Sequence, residues 1–387
     1  MDNNCTIKKE FAPGDIVLNR YKIIKKFTQG GMASTIYLAD NLDVQQSDTF
    51  DSKDNRKVAI KVINRSEDSG DENWNRFCDE CKTSIRIKKC KNVINTIQTS
   101  KSPDNQQIII VMEYVNGKSL ADIIREKGAL GVEESLFIFK MILLALKDLY
   151  SFKQKIIHRD LKPDNILLSA DQTTIKIIDF GISSVVMEDV NNERRILTDE
   201  KNQSGTYAYY SPHMKQVIGK NGTREFNQAI NPQCDFFAIG IILYEMLTGS
   251  RPFYSDDYEK QDVINLPLRY DIPPLSKSNP KIPTALENVI FRCTASKPED
   301  RQYNYTSIDQ IISDVQNIID KPDEAKIEKL IKPYEKRTLQ NIEVFNIEKE
   351  DLKLKFYNKK WFFWIFIFSA GIISLTIIVL VIIDLFF

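Results

Sequence analysis

His158-Arg159-Asp160-Leu161-Lys162-Pro163-Asp164-Asn165, followed by Asp179-Phe180-Gly181, decides how this chain is read. Two acids, a lysine and an amide stand at spacings suited to phosphoryl transfer, which needs a base, a phosphate contact and metal ligands. That reaction asks for in-line positioning and charge neutralisation more than for covalent chemistry by the protein. Both strings fall in a run patterned strand–loop–strand. Either alone carries little weight; both, in this order and at this separation, carry much more.

The two strings match the catalytic-loop and metal-binding signatures of protein kinases, and the chain resembles that family. Further stations follow in the family's order. Val58-Ala59-Ile60-Lys61 matches the lysine-bearing third strand, Glu80 in Arg76-Phe77-Cys78-Asp79-Glu80 falls at the small-lobe helix glutamate, and Asp235-Phe236-Phe237-Ala238-Ile239-Gly240 resembles a buried central helix. Lys162, two residues after Asp160, and Gly205-Thr206 resemble the serine/threonine branch. Gly30-Gly31-Met32 and Arg76-Phe77 resemble the eukaryotic-type serine/threonine kinases of bacteria. The resemblance implies an α+β, two-lobed fold: a small β-sheet lobe over 21–113 with one helix, and a larger helical lobe over 118–319. Residues 1–20 form an N-terminal segment.

The resemblance also assigns roles. Asp160 is the base that takes the acceptor hydroxyl's proton, a contribution of ~10²–10⁴-fold. Lys162 contacts the γ-phosphate, and Thr206 hydrogen-bonds Asp160 and Lys162. Asn165 and Asp179 are hard oxygen ligands of the kind Mg²⁺ prefers beside phosphates, with Mn²⁺ a substitute. Lys61 reaches the α- and β-phosphates of ATP, held by an ion pair with Glu80 that forms when the small-lobe helix swings inward. Glu113 C=O and Val115 N–H bind adenine, Met112 lines the back of the pocket, and Ala59 and Leu167 sandwich the ring. Gly30 and Gly31 let backbone approach phosphate. Their loop departs from the family: Thr28 and Ala33 replace glycines, and counting back from Ile36-Tyr37 shows one residue too many. Thr198, with Ser204 as second choice, is a candidate phosphorylation site that Arg159 could pair. A second departure is Ser211-Pro212-His213, where the family closes its activation segment with Ala-Pro-Glu. Arg301 is therefore expected to lack its carboxylate partner.

Periodicity places strands at Tyr21–Phe27, Ile36–Ala39, Lys57–Ile63, Ile94–Thr99 and Ile108–Tyr114. Helical spacing covers Glu72–Ile87, Val132–Phe152, Cys234–Thr248, Ala285–Cys293 and Ser307–Ile319. Residues 320–360 read as a charged juxtamembrane linker, with a possible helix at Asp323–Lys332. Trp361–Ile383 is an uncharged run long enough to cross ~30 Å of hydrocarbon, with Trp361 and Trp364 at its start and Lys353, Lys355, Lys359 and Lys360 before it. It is expected to be a single transmembrane helix with a short tail (384–387), leaving the kinase domain on the cytoplasmic face of the cell membrane. Ser369, Ala370, Gly371 and Ser374 offer a small-residue face for a homodimer.

Over 387 residues, Lys+Arg 53 against Asp+Glu 53 gives formal net charge +0, which argues against a nucleic-acid partner. Six cysteines lie scattered; the lone C-x-x-C, Cys78 and Cys81, sits in helical spacing and reads as reduced core thiols. The expected activity is transfer of the ATP γ-phosphate to Ser/Thr hydroxyls of cytoplasmic proteins and of the chain itself. The alternative is a membrane-anchored pseudokinase scaffold that binds nucleotide without transfer; the altered glycine loop and position 213 favour it, and the presence of Lys61, Asp160, Asn165 and Asp179 opposes it.

Overall fold

A computed structural model describes residues 10–30, 34–43, 56–65, 74–75, 78, 81, 90–102, 104–153, 155–179, 206–211, 232–252, 272–275, 281–296 and 300–331, with backbone alone at 28–30 and 206–207. The chain divides into two units, and all of these residues belong to the first, Met1–Tyr254 with Tyr258–Ile331.

The small lobe is one antiparallel sheet. Its strands are β1 (Ile16–Val17), β2 (Tyr21–Gly30), β3 (Ser34–Asn41), β4 (Lys57–Asn64), β5 (Thr96–Lys101) and β6 (Gln107–Glu113), in the order β1-β2-β3-β4-β6-β5. Period-2 alternation sorts their side chains. Val58, Ile60 and Val62 of β4 join Ile109 and Val111 of β6 on one face, with Tyr21, Ile23 and Tyr37. Ile63, Ile108 and Ile110 turn the other way, onto Trp74, Cys78 and Cys81. Both cysteines are buried in that apolar cluster. The strand β2 runs to Gly30, beyond the expected end at Phe27, because Gln29 pairs with Thr35 and Gly30 with Ser34. Pairing sets a strand's length where its side chains turn polar.

The second, three-stranded sheet is made by β7 (Gly117–Ser119), β8 (Ile166–Ser169) and β9 (Ile175–Ile177). Gly117 is required there: a Cβ on it would stand 1.7 Å from Leu168 O. Helix α1 (Leu120–Lys127) was not expected from periodicity. It is short, and capping defines it: Ser119 Oγ accepts from Asp122 N (3.1 Å) and donates to Asp122 Oδ2 (2.7 Å), while Gly128 closes it at φ +73.

The large lobe packs α2 (Val132–Tyr150), α3 (Gln233–Thr248), α4 (Thr284–Thr294) and α5 (Ile308–Asp320) around one core. Helix α3 is buried nearly all round, as expected for a helix apolar on every face. Gly240 allows α4 to approach, since a Cβ there would lie 2.6 Å from Thr294 Cγ2 and 2.7 Å from Cys293 Cβ.

The charged segment expected to form a linker from 320 packs on this lobe as far as Ile331. Only Pro322–Lys326 (α6) is helical, shorter than the Asp323–Lys332 expectation. Asn288 of α4 holds the chain beyond that helix: its Nδ2 donates to Glu328 Oε1 (2.7 Å) and Lys329 O (3.0 Å), and its Oδ1 accepts from Ile331 N (2.9 Å). Among the described residues no helix is long and apolar enough to cross a membrane; Trp361–Ile383 lies outside them.

Candidate active site

Lys61 comes from β4, where pairing sets it opposite Ile110 and sets Ala59 opposite Met112, so all four share one face. Asp179 comes from the segment after β9. Lys61 Nζ meets Asp179 Oδ1 at 2.5 Å, joining residues 118 positions apart. Burial pushes the Asp179 carboxyl up. The opposing pull of Lys61, aided by Lys162, is stronger and holds it below the usual carboxylate range. Asp179 is thus kept charged, as a cation ligand must be.

The catalytic loop is folded onto this pair. Asn165 is 4% exposed; its Nδ2 donates to Asp160 O (2.8 Å) and Asp160 Oδ2 (3.1 Å), which directs the amide oxygen away from Asp160. Lys162 Nζ lies 3.4 Å from Asp160 Oδ2. Backbone ties the two candidate metal ligands, since Ile178 N donates to Asn165 O (2.9 Å). His158 is wholly buried between them. Its Nε2 donates to the Ile178 carbonyl (2.9 Å) and its Nδ1 accepts from Asp160 N (3.3 Å), which selects one tautomer.

Two residues here carry unusual backbone. Arg159 and Asp179 both sit at φ +66, a region that costs a non-glycine residue of order 1–3 kcal/mol and persists only where neighbours enforce it. For Arg159 the enforcing group is Asp235 of α3. Asp235 is fully buried and accepts from His158 N (2.8 Å), Arg159 N (2.8 Å) and Tyr150 Oη (2.9 Å). Burial, reinforced by that carboxylate, pushes the Tyr150 phenol well above its ordinary value. The other end of α3 fastens the 3-10 turn Thr206–Tyr209: Tyr209 Oη donates to Glu245 Oε2 (2.5 Å). Sequence reading identified α3 but gave Asp235 no task; an acid opening an otherwise apolar helix was the available signal.

Of the remaining expected residues, Met112 is half-buried between the small-lobe cluster around Trp74 and the large-lobe core, and Val115 packs on the latter. Leu167 is half-buried in β8, paired with Ser119 and Lys176. Glu113 ends β6, and its carboxylate, given no task from sequence, accepts from Asn95 N (2.7 Å) and pairs with Lys176 Nζ (2.7 Å). Gly30 is the last residue of β2. Gly31, Glu80, Thr198, Ser204 and His213 lie outside the described residues, as does the side chain of Thr206.

The extra residue counted in the glycine loop has a structural explanation. Lys26 pairs with Tyr37 and Gln29 with Thr35, so Phe27 and Thr28 together face Ile36 alone. This is a β-bulge, a device that re-aims side chains beside functional sites. Phe27 here stacks on Tyr114, with ring centroids 6.2 Å apart. Arg301, expected to lack its carboxylate partner, is exposed, and its Nε donates to the Ser296 carbonyl (3.4 Å).

A model of the protein kinase domain matches residues 46–314. The chain belongs to the protein kinase family. A protein of Mycoplasma genitalium carrying a provisional serine/threonine-protein kinase name is 34% identical over 383 residues, covering 95% of this chain and 97% of that one. The serine/threonine-protein kinase PrkC of Bacillus subtilis is 28% identical over 310 residues, covering 79% of this chain but 42% of PrkC. Among solved structures, a double mutant of the PknI kinase domain of Mycobacterium tuberculosis shares the fold, with TM-score 0.54 at 17% identity over 80% of this chain and 99% of that one. These relatives put the kinase in the bacterial eukaryotic-type serine/threonine group.

Proposed function

We propose that this kinase transfers the γ-phosphoryl group of ATP to serine or threonine hydroxyls of cytoplasmic proteins and of itself. The observation that carries the reading is the contact of Lys61 with Asp179 beside Asp160, Lys162 and Asn165. Asp160 orients the acceptor hydroxyl and takes its proton; Asn165 fixes the Asp160 carboxylate for that task. Lys162, 3.4 Å from the base, neutralises charge on the transferring group. Lys61 takes the α- and β-phosphates. Asn165 and Asp179, an amide oxygen and a charged carboxylate, fit Mg²⁺, which when bound supplies further charge neutralisation to the phosphates. The backbone of Glu113 and Val115 holds the base, between Ala59 and Leu167 and before Met112, while Gly30 and Gly31 approach the phosphates.

The reading extends to regulation and location. Thr198 and Ser204 are the proposed phosphosites, and Glu80 the second partner of Lys61. Trp361–Ile383 is proposed as a membrane span whose lysine-rich flank keeps the kinase domain in the cytoplasm, supported by the length and charge pattern of the run. Its small residues from Ser369 to Ser374 suit a homodimer.

The test is incubation of the full chain in detergent with γ-labelled ATP and Mg²⁺. Label is expected on the chain itself and on a generic basic protein, and Asp160→Asn abolishes it. Nucleotide binding without label transfer would instead establish the scaffold.

A further inference from the structure

Lys176 interrupts the buried pattern of β9, standing between Ile175 and Ile177, both fully buried. Its ammonium pairs with Glu113 at 2.7 Å and also reaches Val93 O at 3.4 Å. Glu113 is held from a second side, since its carboxylate accepts from Asn95 N (2.7 Å) and its own N–H donates to Asn95 O (3.0 Å). Backbone bonds knit the same segments: Ile94 N to Ile177 O and Ile177 N to Asn92 O, each 2.9 Å. The Lys176 and Glu113 side chains are 20% and 32% exposed, shielded enough for the pair to hold geometry.

The chain positions of these groups give the contact its meaning. Lys176 lies three residues before Asp179 on one short stretch, and Glu113 belongs to the edge proposed to bind adenine. One ammonium therefore couples the metal-side end of the cleft to its base-side end. Resting on the nucleotide reading above, we propose that Lys176 is a positioning residue for ATP. By fixing Glu113, it sets the separation between the base-binding edge and the carboxylate at the phosphate end.

The experiment compares wild type, Lys176→Met, Lys176→Arg, Glu113→Gln and Lys176→Met/Glu113→Gln as full chains. Initial rates are taken against ATP, with thermal midpoints measured alongside. Lys176→Met is expected to raise KM for ATP about fivefold with kcat changed less than about twofold. Lys176→Arg should restore KM, and the double variant should be no worse than the worse single one. Two results would overturn the proposal. A lowered thermal midpoint with unchanged KM would leave a merely structural brace, and a raised kcat with unchanged KM would mean the pair restrains lobe motion instead. If wild type transfers no phosphate, the enzymatic reading fails by itself. The Lys176 comparison is then read as the ATP dissociation constant by thermal titration, with the same fivefold expectation.

Discussion

Replacing Asp235 with alanine should cost this kinase both stability and activity, in amounts that its contacts fix. The carboxylate is fully buried and satisfies two backbone N–H groups and the Tyr150 hydroxyl. Its removal orphans those three donors where water does not reach. Each orphan costs about 1–3 kcal/mol, less where the chain relaxes, so a total of about 3–5 kcal/mol is expected. The catalytic loss follows from Arg159. Freed of its anchor, the backbone at φ +66 has every reason to relax, and Asp160 is the next residue. A displacement of about 1 Å at a reacting group can cost 10²-fold, and kcat should fall by about that factor. Tyr150→Phe is the graded control, removing one donor and leaving the two backbone bonds; it should cost about 1 kcal/mol and leave kcat within about twofold. Urea midpoints with the slope held common report the stability change, and labelled phosphate transfer reports kcat. An Asp235→Ala protein that transfers phosphate at the wild-type rate would refute the clamp. So would a Tyr150→Phe protein as inactive as the alanine variant.

Three further outcomes are expected. Gly117→Ala should destabilise by about 1–3 kcal/mol in thermal unfolding, since the added carbon would meet Leu168 O and force β7 off β8. Asp179→Asn should be less stable than wild type at neutral pH, with the gap narrowing on acidification. The folded Asp179 carboxyl titrates below its ordinary 3.8, so its contribution is complete above that value and is lost as pH falls through the folded one. Denaturant midpoints from about pH 7 to about pH 3 check this, and a gap that widens in acid would contradict it. Asn288→Ala removes three hydrogen bonds to 328–331. It should open that segment to limited proteolysis while phosphate transfer stays within about twofold, because α4 lies apart from the catalytic loop.

Most of the architecture could be read before any coordinates. Alternation in Lys57–Asn64, the continuous apolar run of Gln107–Glu113, and helical spacing in Val132–Tyr150 and Ile308–Asp320 are strong signals, because the strand β6 is covered on both faces and the others each bury a regular one. Helix α1 escaped because its eight residues are too few for periodicity to speak; only its caps announced it. The chemical groups were legible because phosphoryl transfer dictates their types. The residues that support them were not. Asp235 gripping two backbone amides and Lys176 gripping Glu113 depend on approach between segments 76 and 63 positions apart, and no local pattern encodes such a meeting. The anchoring of Glu328–Ile331 was hidden for a related reason: charged residues read as solvated, yet here the Glu328 carboxylate and two main-chain groups bond to Asn288.

The bulge at Phe27 and Thr28 bears on how this hairpin tolerates change. Two residues share the place of one, and regular pairing resumes on both sides. Shortening the strand by Phe27 should leave Gln29 and Gly30 against Thr35 and Ser34, so the ladder is kept while the aromatic contact with Tyr114 is surrendered. Length at that spot is a free variable for the ladder and a fixed one for the ring.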